Sequence, residues 1–203
     1  MNIRLVGDSA LLVELPDFHA AQALRHQLCQ SSRPGILEIV PGYQSVLIEI
    51  DPLVQDAGKF AAVIQEGMTG SMFLPPPAEH DIEVRYDGMD LIPVAEETGL
   101  TVAEVIRRHA DVVYTVAFLG FAPGFPYLVG LDPALQVARL KAPRARVPAG
   151  SVAIADQFSG IYPRLTPGGW RLLGVTDAIL FDANRSRPAL LNPGDRVRFR
   201  ASQ

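Results

Sequence analysis

Apolar positions in the first 67 residues repeat with two different periods, and their order predicts a small α+β fold. Ile3 to Val6 and Ala10 to Leu15 read as two strands joined by a Gly7-Asp8 turn. Phe18 to Gln30 takes the helical period, with Leu24 and Leu28 one turn apart and Pro34-Gly35 stopping it. Ile36 to Val40 and Ser45 to Ile50 return to strand patterning around Pro41-Gly42, and Asp51-Pro52 opens a second helix that ends near Gly67. Strand, strand, helix, strand, strand, helix places two helices on one sheet face. The run Phe73-Leu-Pro-Pro-Pro-Ala-Glu-His80 then breaks the pattern, because consecutive prolines exclude helix and interior strand. The expected division is an α+β domain over 1–75 and a second domain over 81–203.

The second domain opens with a strand, Ile82 to Tyr86, and two short helices, Leu91 to Glu97 and Val102 to His109. Thr101 with Glu104 forms a capping box for the second helix. From Val112 onward, short β-rich runs (VVYTVAFL, VPAGSVAIA, WRLLGV, AILFDA, DRVRFR) alternate with turns. Of the 34 Gly and Pro residues in the chain, 14 fall between Gly120 and Trp170, which favours many short strands over long helices. A mainly-β barrel or sandwich is predicted.

Composition narrows the setting. The chain has 203 residues, 48% of them hydrophobic and 20% charged, as in an ordinary globular protein. No apolar run reaches membrane-spanning length, and Asp8 and Glu14 interrupt a start without a basic leader, so no membrane or secretory role is expected. Cys29 is the single cysteine, which excludes an internal disulfide and fits the cytoplasm. A net charge of −4 argues against a general nucleic-acid binder. Residues 139–200 nevertheless hold 11 basic and 4 acidic side chains, so an anionic ligand is expected in the second half.

Five segments carry candidate chemistry. Phe118 to Tyr127 (FLGFAPGFPY) packs Phe121, Pro123, Gly124, Phe125 and Tyr127 together, as either a backbone-and-ring ligand wall or a tight turn capping the barrel. His109 lies five residues before Tyr114, where helix hands over to strand; it reads as a proton-transfer group or as a helix C-terminal histidine beside the dipole. Arg139 to Arg146 packs four cations into eight residues, suited to carboxylate or phosphate or to a solvated loop. The small-residue turn Pro148-Ala-Gly150-Ser151 follows. Thr166-Pro-Gly168-Gly169-Trp170 is a sharp turn beside the only tryptophan, either a donor of backbone amides or a hairpin with a core ring. There is no GxxxxGK[ST] loop, GxSxG elbow, HExxH or cysteine cluster, and no glutamate after Glu104. The site elements do not make a complete catalytic set.

Taken together, His109, Tyr114, LGFAPGFPYL (119–128), GLDP (130–133), APRARVPAGSVAIA (142–155), GIYP (160–163), TPGGWRLLG (166–174) and LLNPGDRVRF (190–199) resemble the bacterial 5-oxoprolinase family, in its B-type subunit. GDSALLVE (7–14) and Glu38 to Tyr43 extend that resemblance over nearly the whole chain. The same family holds allophanate hydrolase subunit 1 proteins and a sporulation-kinase inhibitor. The resemblance implies an N-terminal α+β domain followed by a cyclophilin-like barrel. It also implies two partners, a larger barrel-containing C-type subunit and a third, A-type subunit, with ATP used by the complex. The reaction implied is opening of a small cyclic amide, 5-oxoproline, and a related barrel pair occurs in urea carboxylase.

Within this frame His109 is expected to polarise substrate or move a proton. Backbone amides at Gly124, Gly168 and Gly169 are expected to steady developing negative charge, and Arg144 or Arg146 to hold a substrate carboxylate or phosphate. Tyr114, Phe121, Pro123, Phe125, Tyr127, Gly150, Ser151, Thr166 and Trp170 complete the expected substrate wall. No metal ligand set and no biotin attachment site is seen. The chain departs from the family pattern at Phe158, where Gln is usual, and at Val175, where Arg is usual. Inhibition of a sensor histidine kinase through the aromatic face, and a carboxyltransferase role, are the alternatives.

Overall fold

The computed structural model describes residues 1–67 and 76–202, which fall into two compact units spanning 1–76 and 77–203. In the first unit, strands β1 (Asn2–Val6), β2 (Ala10–Glu14), β3 (Ile36–Pro41) and β4 (Ser45–Ile50) form an antiparallel sheet in the order β1-β2-β4-β3. Pairing Leu11 with Ile48 and Val13 with Val46 sends one set of alternate side chains to one face. Helices α1 (Phe18–Gln30) and α2 (Ala57–Gln65) cover that face with Leu24, Leu28, Phe60 and Ile64. Both helices start on an aspartate. Asp17 accepts from the Ala20 amide and Asp56 from the Lys59 amide, each at 2.8 Å.

The second helix therefore begins later than Asp51-Pro52 predicts. The Asp51 side chain accepts from the Leu53 amide and its carbonyl from Val54 and Gln55, which closes a turn ahead of the true cap. The Phe73–Pro75 part of the proline run lies outside the described residues.

The second unit holds a seven-stranded sheet in the order β12-β9-β10-β7-β6-β13-β5. Its strands are β5 (Glu79–Val84), β6 (Val113–Leu119), β7 (Pro126–Val129), β9 (Ser151–Ala155), β10 (Phe158–Ile161), β12 (Arg171–Val175) and β13 (Arg196–Ala201). β13 runs antiparallel to β6 and parallel to β5. A separate ribbon pairs β8 (Arg144–Val147) with β11 (Thr166–Gly168). The sheet curls until its edges meet, where Arg85 and Val175 exchange two backbone hydrogen bonds of 2.9 Å each.

β9 shows how the layers arise. All five of its residues are buried, yet they serve two cores by alternation. Val152 and Ile154 join the main core with Val116, Leu128 and Phe199 and with helices α3 (Leu91–Thr98) and α4 (Val102–Ala110). Ala153 and Ala155 face the other way, into a small aromatic core with Phe125, Tyr162, Trp170 and Leu172. The capping box at Thr101 and Glu104 forms as the spacing predicts. The run AILFDA does not become a strand; only Phe181 forms a bridge, to Ala189.

The seam depends on one small residue. A Cβ on Gly174 would run into the Arg85 carbonyl and come within 3.0 Å of the Val84 side chain. Gly174→Ala is therefore expected to lower stability by about 1–3 kcal/mol, as overpacking does, measured by urea unfolding. An unchanged midpoint would show that the seam yields freely.

Candidate functional site

An open cleft of about 500 Å³ lies between the aromatic core and the β8–β11 ribbon. Its wall is built from Phe121, Phe125, Tyr127, Tyr162 and Trp170, with Gly168 and Gly169 beside them and Arg139 at its edge. Phe125 is the hub. Its ring meets Tyr162 at 5.1 Å and Trp170 at 5.3 Å, both edge-on, and Tyr127 at 5.3 Å and Phe121 at 5.4 Å. Phe121 adopts a left-handed backbone (φ 66°) and stands 62% exposed, so it presents a ring to solvent. Gly168 is held to glycine because a Cβ there would strike the Tyr162 hydroxyl. Burial raises the Tyr162 phenol pKa, and the Trp170 backbone opposes the rise. Burial likewise raises Tyr127, and the positive charge of Arg139 opposes the rise.

Of the residues expected at the site, Phe121, Phe125, Tyr127, Gly168, Gly169 and Trp170 come together here. His109 does not line the cleft. It is fully buried among Tyr86, Tyr114, Phe199 and Ser159. Its Nδ1 lies 2.7 Å from the Tyr86 hydroxyl and its Nε2 lies 2.9 Å from Ser159 Oγ. Ser159 in turn donates to the Ala153 carbonyl at 3.3 Å, so the consistent assignment has Tyr86 donating to Nδ1 and Nε2–H donating to Ser159. Burial lowers the His109 pKa to about 3 and keeps the imidazole neutral. Tyr114 supports the same node, donating to the His109 carbonyl at 3.0 Å.

Arg144 is engaged within the fold. It meets Asp90 at 2.7 Å, and the second Asp90 oxygen accepts from the Leu172 amide at 2.7 Å. This pair ties α3 and β8 to β12, which leaves Arg144 no free fork for a ligand. Arg146 is exposed and Pro123 is exposed, and neither lines the cleft. Gly124 (φ 79°) packs against the Leu180 carbonyl and Phe181, and Gly150 (φ 79°) against the Thr176 carbonyl. Ser151 and Thr166 are buried away from the lining, and Thr166 Oγ1 has no hydrogen-bond partner among the described residues. Phe158 stands edge-on to Tyr127 at 5.5 Å, behind the wall, and Val175 sits at the seam.

Sequence reasoning missed Tyr162 and Arg139 as cleft residues. Tyr162 was visible only as part of GIYP, and Arg139 only as one of four cations in a run. Among the described residues the lining supplies no carboxylate, histidine, cysteine or lysine, and no group of three or more His, Cys, Asp or Glu could hold a metal. The arrangement offers a largely aromatic wall beside one positive charge. It supplies no general acid or base of ordinary pKa.

Comparison with known proteins agrees in extent with this architecture. Residues 1–191 match the family model for the carboxyltransferase domain, subdomain C and D. The chain is 40% identical to the B-type subunit of 5-oxoprolinase from Escherichia coli O157:H7 over 206 residues, covering 96% of this chain and 93% of that protein. It is 36% identical to the corresponding 5-oxoprolinase subunit of Haemophilus influenzae, covering 98% and 97% of the two chains. Among solved structures, TTHA0988 superposes with a TM-score of 0.85 and 37% identity over 96% of this chain, and this chain spans 40% of that longer polypeptide. With the family domain matched over most of its length and B-type subunits matched end to end, the chain belongs to the B-type 5-oxoprolinase subunits, a family of carboxyltransferase-domain proteins.

Proposed function

We propose that this chain is the B-type subunit of an ATP-dependent, 5-oxoprolinase-type hydrolase that opens a small cyclic amide in the cytoplasm. It works with a larger barrel-containing C-type subunit and a third, A-type subunit. The observation that carries this reading is the cleft itself, whose lining offers an aromatic wall and one cation but no carboxylate, histidine, cysteine or lysine. A half-site of this kind needs a partner surface to finish the chemistry. TTHA0988 supports the idea, since its counterpart of this chain occupies 40% of a polypeptide that continues well beyond it.

In this reading the rings of Tyr127, Tyr162 and Trp170 orient the amide plane and exclude water, and the Gly168–Gly169 backbone approaches the substrate closely. His109 acts from inside the fold as a neutral positioning residue through Ser159 and β10. The chain has no phosphate loop, so nucleotide handling falls to the partner subunits. The reading also takes 1–75 and 81–203 as separate domains and the second as a cyclophilin-like barrel. The carboxyltransferase name of the matched domain favours one second reading, carboxyl transfer to an amide.

The test is co-expression with candidate A-type and C-type subunits, followed by ATP and 5-oxoproline turnover assays. The isolated chain is expected to hydrolyse no ATP, whereas the assembled complex should couple ATP hydrolysis to glutamate release. Steady ATP turnover by the chain alone would defeat the half-site. A complex that ignores 5-oxoproline but carboxylates an amide would install the second reading.

A further inference from the structure

Arg139 differs from the other arginines around the cleft in how its charge is used. Arg144 is held by Asp90 at 2.7 Å, and Arg171 by Glu97 at 2.7 Å and by the Ala138 carbonyl at 3.1 Å. Arg139 has one ion pair among the described residues, a long 3.7 Å contact to Asp156, and the two side chains are 66% and 58% exposed. Such a contact between solvated groups holds little.

Its backbone, in contrast, is fastened on both sides. The Val137 carbonyl accepts from the Asp156 amide at 2.8 Å, the Ala138 carbonyl accepts from Arg171, and the Leu140 amide donates to the Gly169 carbonyl at 2.7 Å. The fastened backbone fixes where this side chain starts, and its loosely paired guanidinium stands at the lip of an aromatic cleft. Its charge reaches inward far enough to act on the Tyr127 phenol. Asp156, itself in a left-handed conformation (φ 51°), stands beside it as a resident counter-ion that an incoming anion can replace.

We infer that Arg139 is the specificity-determining residue of the cleft, binding a carboxylate carried by the cyclic amide in exchange for its loose contact with Asp156. This rests on reading the cleft as the substrate site. The planar fork of arginine matches a carboxylate with two parallel hydrogen bonds, while the rings hold the apolar body of the substrate. A neutral lactam of the same size fills the ring wall but leaves the fork unmatched.

Two measurements on the full chain test this. In the assembled complex, Arg139→Gln should raise the KM for 5-oxoproline about tenfold and leave kcat within about twofold, since the interaction serves binding and not chemistry. Arg139→Lys should recover part of the loss, and Lys141→Gln, an exposed cation two residues away and outside the cleft, should change neither constant. In the chain alone, Trp170 is the only tryptophan and forms part of the wall, so its fluorescence reports occupancy. Wild type should bind 5-oxoproline about tenfold more tightly than 2-pyrrolidinone, and Arg139→Gln should bind the two alike.

A complex that turns over 5-oxoproline with an unchanged KM in Arg139→Gln overturns the inference and leaves the proposed function standing. Inhibition by inorganic phosphate that Arg139→Gln abolishes, with that KM unmoved, reassigns the residue to phosphate and also overturns it. A wild-type complex inert toward 5-oxoproline defeats the proposed function instead. Fluorescence then decides for Arg139: acid selectivity kept in Arg139→Gln, or no wild-type response to either compound, overturns the inference.

Discussion

Acidification from pH 6.5 toward 3 is expected to unfold the second unit progressively, with His109 contributing up to about 1.4 kcal/mol of lost stability per pH unit. The imidazole has a folded pKa lowered to about 3 by burial, against about 6.5 in an unfolded chain. Between those values the unfolded state binds a proton that the folded state refuses, so stability rises with pH across this window. The contribution is fully present above 6.5 and is lost as pH falls toward 3. Protonation would also remove the acceptor that Tyr86 needs at Nδ1, inside a pocket closed by Tyr114 and Phe199. The measurement is urea unfolding at a series of pH values, compared between wild type and His109→Gln, which removes the titrating group. The variant should lose most of the slope between pH 4 and 6. If it does not fold, the His109 ring nitrogens in wild type decide the matter by NMR. A charged imidazole at pH 5 would refute the buried neutral node.

Phe125→Ala is expected to cost about 3–5 kcal/mol, the range for emptying an aromatic position in a packed core. The sequence leaves Phe125 as either a ligand-wall ring or a turn residue capping the barrel; the ring is 1% exposed and contacts four other aromatic rings. Removing it withdraws the common neighbour of Phe121, Tyr127, Tyr162 and Trp170, so the cleft wall should loosen with the core. Trp170 fluorescence and far-UV circular dichroism should both shift to lower denaturant, with fluorescence reporting the local loosening first. Phe125→Leu, which keeps most of the volume, should lose less than half as much. A loss below about 1 kcal/mol in the alanine variant would mean that the cluster repacks around the gap. Phe121 packs edge-on against Phe125 but stays 62% exposed on a left-handed turn, so part of its ring faces solvent.

Local signals were legible wherever one short stretch decides its own conformation. α1 spans the predicted Phe18–Gln30, and the Thr101–Glu104 box caps α4. β4 occupies the expected Ser45–Ile50. The start of α2 was misplaced because two aspartates compete for the role of cap. Asp51 closes a turn and Asp56 caps the helix, and both chemistries use the same side chain. AILFDA has strand composition but no neighbouring edge to pair with beyond Phe181, and a strand needs a partner as much as a propensity.

The aromatic wall belongs to what the sequence determines by itself. Glycines, prolines and rings concentrated in two motifs, FLGFAPGFPY and TPGGW, already select most of the cleft. Family membership is also written in the order of those motifs. The roles of the arginines near the cleft and of His109 were decided by tertiary structure. Arg144 and Arg139 lie five residues apart in one basic run, yet Asp90, 54 residues upstream of Arg144, captures one and leaves the other at the cleft. His109 reads in sequence as a proton-transfer group or a helix-end histidine, but Tyr86 and Ser159 arrive from 23 and 50 residues away to enclose it. Whether a side chain is free, paired or buried depends on what the fold brings beside it, and such long-range partners leave no local pattern in the chain.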